Sequence, residues 1–103
     1  MRVIRSKDYT ATRAWGADNI ANMGGTTVRL HWTDQPYTWH VNDGEEVFAV
    51  LDGTVDMHYR ESGIERVVTL VVGDVFFVGV GCEHVAHPRG EARILVIERE
   101  GSV

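Results

Sequence analysis

Residues Trp39-His40-Val41-Asn42-Asp43-Gly44-Glu45-Glu46-Val47-Phe48-Ala49-Val50-Leu51-Asp52-Gly53 decide how this chain reads. Asn42-Asp43-Gly44 is a strong turn signal between two β-prone runs. Tyr37–Val41 therefore reads as one strand and Glu46–Leu51 as its return. Residues at the same height of adjacent strands have side chains about 5 Å apart when they share a face. His40 ends the first strand and Glu46 begins the second, so an imidazole and a carboxylate can aim at one point.

The same pattern extends in both directions. Thr26–Trp32 alternates, with Val28, Leu30 and Trp32 on one face and Thr27, Arg29 and His31 on the other. Thr54–Tyr59 sets Val55, Met57 and Tyr59 against Thr54, Asp56 and His58. Ile64–Val72, Val75–Val78, Cys82–Ala86 and Arg93–Glu98 follow, parted by Gly and Asp turns. No window holds apolar residues at helical spacing. Short strands at regular intervals predict an all-β sandwich or closed barrel. Asp8–Gly25 is the weak stretch, where Thr10–Trp15 reads equally as a strand or a helical turn. The expectation is one domain over 1–103, with a core barrel at about 26–99 and an N-terminal strand or loop extension at 1–25.

Composition narrows the function classes. The 103 residues are 44% hydrophobic and 24% charged, with a formal net charge of −5, which suits a globular domain and disfavours nucleic acid as a partner. The longest apolar runs, Val75–Val80 and Ile94–Ile97, are far short of the roughly 20 residues of a spanning helix, so no membrane partner is expected. Met1–Lys7 is cationic without an apolar run after it, unlike a signal peptide. The single cysteine, Cys82, excludes an internal disulfide and a cysteine-based zinc cluster, and a cytoplasmic location is the default.

His84 follows the Gly79–Gly81 break far along the chain. Together with His40 and Glu46 it supplies two imidazoles and a carboxylate, a set that suits Fe(II), Mn, Ni, Co or Zn with positions left open. Asn42 reads as a turn residue first and as a weak fourth ligand second. Glu45 and His58 are expected at the surface, and His87 on the face opposite His84. His31 is either exposed or at the mouth of the barrel. Arg29, on the same face, is the one cation placed to reach that mouth. Phe48, Val50, Met57 and Phe77 are expected to wall the site. Cys82 shares the parity of His84 and reads as a small buried hydrophobe, and the charges of Arg89–Arg93 as a solvated loop.

Two motifs resemble those of the cupin superfamily in order and spacing. The first runs His, one residue, His, three or four residues, Glu, six residues, Gly. Here it reads His40, Asn42 in place of the second His, Glu46 and Gly53. The second runs Gly, five residues, Pro, one residue, Gly, two residues, His, and reads Gly73, Gly79 in place of Pro, Gly81 and His84. The resemblance covers about 26–99. It implies a small double-stranded β-helix, or jelly-roll, barrel, one divalent metal ion per chain held by His40, Glu46 and His84 with Asn42 as a weak donor, and a homodimer packed sheet to sheet.

Two function classes follow. One is an enzyme that uses the metal on a small carbonyl-bearing organic substrate, as dioxygenase-, isomerase- or lyase-type cupins do. The other is a module that binds a small molecule without turning it over. Neither a nucleophile elbow nor a phosphate loop nor a dinucleotide motif is present.

Overall fold

Buried and less buried residues alternate along the strands that hold the core, Glu46–Asp52, Val55–Met57 and Ile94–Glu98. The structure, a computed structural model, describes residues 1–102. A short 3-10 turn, Ser6–Asp8, precedes nine strands: β1 (Gly16–Met23), β2 (Thr26–Thr33), β3 (His40–Val41), β4 (Glu46–Asp52), β5 (Val55–Glu61), β6 (Ile64–Leu70), β7 (Val75–Val78), β8 (Glu83–Pro88) and β9 (Ala92–Arg99). They form two antiparallel sheets, ordered β1-β2-β9-β4-β7 and β3-β8-β5-β6. This is a jelly-roll β-barrel. Among the described residues no helix is long and apolar enough to cross a membrane.

The core lies between the sheets. Phe48 and Val50 from β4 meet Ala92, Ile94 and Val96 from β9, and across from them Val55 and Met57 from β5, Leu70 from β6 and Ala86 from β8. Continuing each inward row by two residues leaves the apolar core. Val50 and Phe48 lead to Glu46, Ile94 and Val96 to Glu98, and Ala86 to His84. One end of the barrel is therefore packed and the other is polar.

Several expectations are revised. The Tyr37–Val41 strand shrinks to His40–Val41, and no positive φ occurs at Asn42, Asp43 or Gly44, so the Asn-Asp-Gly turn does not use left-handed geometry. Gly16–Met23, within the weak stretch, is a strand paired along β2. Its own pattern is faint because the polar residues Asp18, Asn19 and Asn22 interrupt its apolar ones. Phe77 does not wall the site. Register pairs Val47 with Phe77 and Phe48 with Phe76, so Phe76 packs against the core and Phe77 is 60% exposed on the outer face. Val67, Val71 and Val72 are also exposed. Arg93 is buried rather than solvated. It lies in β9, and its guanidinium donates to the Tyr9 carbonyl (2.8 Å), the Thr10 hydroxyl (3.2 Å) and the Asp52 carboxylate (2.7 Å), tying the N-terminal segment to the sheet.

Gly53 shows why its position excludes a side chain. Its φ is +83°, and an added Cβ would strike the Glu91 carbonyl and lie 3.0 Å from Ala92 Cα.

Candidate metal centre

His40 and His84 are direct register partners across β3 and β8, and their rings stand with centroids 4.1 Å apart. Glu46 enters from the other sheet, with Oε1 3.0 Å from His84 Nε2. One ligand atom from each of the three lies within 4.8 Å of the others. His84 and Glu46 are buried and His40 is half-buried.

Both imidazoles are oriented by the backbone. His40 Nδ1 donates to the Thr38 carbonyl (3.0 Å) and His84 Nδ1 to the Cys82 carbonyl (3.3 Å). A proton fixed on Nδ1 turns Nε2 toward the site as the electron-pair donor. His84 Nε2 then faces a carboxylate oxygen, and two lone pairs at that distance require a cation or a second proton between them. The donor set therefore fits a divalent metal.

Asn42 is 2% exposed, and neither its amide oxygen nor its nitrogen has a hydrogen-bond partner. Two positions beyond His40, it shares that residue's parity. Unpartnered buried amide atoms cost about 1–3 kcal/mol each, and Asn42 does not line the cavity that the other three residues face.

A second carboxyl stands beside the first. Glu98 is the register partner of Glu46 across β4 and β9 and is equally buried. Burial, then the hydrogen bond and the charge of Glu46, hold the Glu98 carboxyl well above the ordinary carboxylate range, against the pull of Arg29. Burial also pushes Glu46 up, but hydrogen bonds from His84 and Glu98 and the charges of His84 and His40 bring it below its ordinary value. Glu98 thus keeps the proton and Glu46 the negative charge. Sequence reading missed Glu98, although the inward parity of Ile94 and Val96 extends to it.

These groups face a cavity of about 1040 Å³. Phe48 and Met57 wall it as expected, whereas Val50 lies deeper in the core. His31 lines it and donates from Nδ1 to the Trp15 carbonyl (3.0 Å). Burial lowers the His31 pKa, and Arg29 adds to that. Trp15, in left-handed geometry at φ 62°, and Tyr37 connect His31 to His40 through edge-on ring contacts of 5.9, 5.2 and 5.3 Å. Neither stands out in the sequence, and Arg13, which also lines the cavity, is a second cation that sequence reading missed. Glu45 is exposed, His58 is half-buried rather than at the surface, its ring tilted against that of half-buried His87 (centroids 4.3 Å apart) away from the cavity, and half-buried Cys82 does not line it.

In sequence comparison no protein-family model and no curated protein matches the chain. Among solved structures it is similar to a cupin-2 domain containing protein from Shewanella frigidimarina, at 27% identity and a TM-score of 0.80, covering 95% of each chain. It is also similar to a cupin superfamily protein from Desulfitobacterium hafniense, at 15% identity and a TM-score of 0.77, covering 91% of this chain and 85% of that one. A third likeness is to a hydroquinone 1,2-dioxygenase in complex with Fe3+, at 16% identity and a TM-score of 0.78, covering 87% of this chain and 29% of that one. The chain has a cupin fold, as its two motifs implied. Within that fold it carries a His/Glu/His group at the polar end of the barrel.

Proposed function

We propose that His40, Glu46 and His84 hold one divalent first-row metal ion, with Asn42 as a weak fourth donor, and that the protein carries out metal-assisted chemistry on a small carbonyl-bearing organic molecule. The observation that carries this reading is the preset orientation of the three donors, with both Nδ1 atoms on backbone carbonyls and His84 Nε2 against Glu46. Three or four protein donors leave coordination positions open, as in catalytic rather than structural sites. When bound, the ion would supply Lewis acidity to an oxygen of the substrate, or redox chemistry if it is iron or manganese. Phe48 and Met57 give the cavity apolar wall beside these donors. Glu98, the register partner of Glu46, lines the cavity beside it and hydrogen-bonds to it, which would help to hold that carboxylate toward the site. The iron in the similar dioxygenase supports a redox metal.

The rival reading is a binding module with a weak metal site. It is favoured by Asn42, whose amide is a poorer donor than imidazole. Metal analysis of protein purified without chelator, followed by a screen of diketones and hydroxy acids on protein reconstituted with Fe(II), Mn(II), Ni(II) or Zn(II), separates the two. Turnover that vanishes in His40→Ala and Glu46→Ala while the fold survives establishes the enzyme. Ligand binding that persists in both variants, without turnover under any metal, favours the module. Equal metal content in wild type and His84→Ala would remove the site altogether.

A further inference from the structure

The wall of the cavity on β2 holds a cation that the metal reading does not use. Alternation along β2 turns Thr27, Arg29 and His31 inward, and Arg29 is paired in register with the core residue Val96. Its guanidinium lies against the Glu98 carboxyl, with Nη2 3.6 Å from Oε1, too long for a hydrogen bond. Its Nε is buried and has no partner. Arginine presents its donors as a planar fork that matches a carboxylate through two parallel N–H···O bonds. The Arg29 side chain is 37% exposed and lines the cavity, so the Nη edge beyond that enclosed Nε is the part that can meet such a carboxylate.

The geometry points to Arg29 as the anchor for a carboxylate of the bound molecule, so that the cavity takes small organic acids. The β2 and β4 strands flank β9, two strand spacings or about 10 Å apart. Arg29 and Glu46 therefore address one small molecule from two sides. The acid would bind Arg29 by its carboxylate, with a second oxygen a few bonds away directed at His40, Glu46 and His84. Only that second oxygen rests on the metal reading. Arg13 also lines the cavity, but it belongs to the segment before β1 and is exposed, so it is not assigned this role.

Calorimetric titration with 2-hydroxybutanoate and with 2-hydroxybutanamide, its uncharged isostere, tests the assignment on protein with and without Mn(II). Wild type should bind the acid about tenfold or more tightly than the amide, the scale of a charge-assisted pair. Arg29→Gln should abolish that preference, Arg29→Lys should keep part of it, and Arg13→Gln should leave it unchanged. Absence of an acid preference in wild type overturns the inference, as does a preference that survives Arg29→Gln or disappears in Arg13→Gln. Should Arg29→Gln not fold, Arg29→Lys carries the test, and an undiminished preference there overturns it. Protein that takes up no metal yet prefers the acid through Arg29 refutes the metal reading alone. Metal-loaded protein without the preference refutes the inference alone.

Discussion

His40 and His84, from distant parts of the chain, face each other as register partners with ring centroids 4.1 Å apart. Backbone carbonyls and Glu46 already orient these rings, so the donors proposed as metal ligands are aligned within the fold itself. Chelation should therefore lower the melting temperature without abolishing cooperative unfolding. Metal at about 100 times its Kd stabilises by about 2.7 kcal/mol, worth roughly 10–20 °C in a domain of this size. Scanning calorimetry with and without chelator checks this, and His84→Ala should show no chelator-dependent shift. A wild-type shift retained in that variant contradicts the assignment.

Asn42→His should tighten metal binding by about tenfold or more, since imidazole replaces a weaker amide donor. It also removes two buried amide atoms that have no partner. Competition against a chromogenic chelator measures the change. Unchanged affinity would mean that the Asn42 side chain does not face the site.

Two glycines with similar positive φ separate strain from crowding. Gly53→Ala meets backbone atoms of Glu91 and Ala92, whereas Gly24→Ala has open space around its Cβ. Gly24→Ala should cost about 1 kcal/mol from left-handed geometry alone, and Gly53→Ala about 3 kcal/mol or more. Denaturant unfolding gives both values, and equal losses would contradict the close approach at Gly53.

Asp56 supplies a pH-dependent contribution. The Arg89 guanidinium, then the Thr69 hydroxyl, hold its carboxyl down at about 2, against an ordinary value of 3.8. A depressed carboxyl stabilises the fold above its unfolded pKa and loses that contribution as pH falls through the folded value. Stability should therefore drop more steeply between about pH 4 and 2 in wild type than in Asp56→Asn. The difference should be small, because Arg89 is solvent-exposed and water screens the pair. Urea unfolding across that range is the measurement, and identical slopes would exclude the pair as the source.

Phe77, Val47, Ile97 and Val28 form one register row across the outer face of the five-stranded sheet, and Phe77 is the most exposed end of it. Exposed apolar rows of this kind favour association. We expect light scattering at tens of micromolar to give twice the chain mass, and Phe77→Lys to give the single-chain mass. A wild-type monomer would refute this.

The sequence by itself determined the faces of its clearly alternating strands and the three candidate ligands. Alternation is a local property, so Val55 and Met57 were legible as one inward face, and motif spacing identified His40, Glu46 and His84. It could not determine where Phe76 and Phe77 point, because both are large and apolar and only the register against β4 distinguishes them. Nor could it separate the strand Gly16–Met23 from a loop, since that strand is recruited by pairing with β2 rather than by its own composition. The pairing of Glu98 with Glu46, and the approach of Arg29 to Glu98, also come from tertiary structure. Parity is written residue by residue along a strand, whereas the choice of neighbouring strand and its register is fixed only when the two sheets close over a shared core.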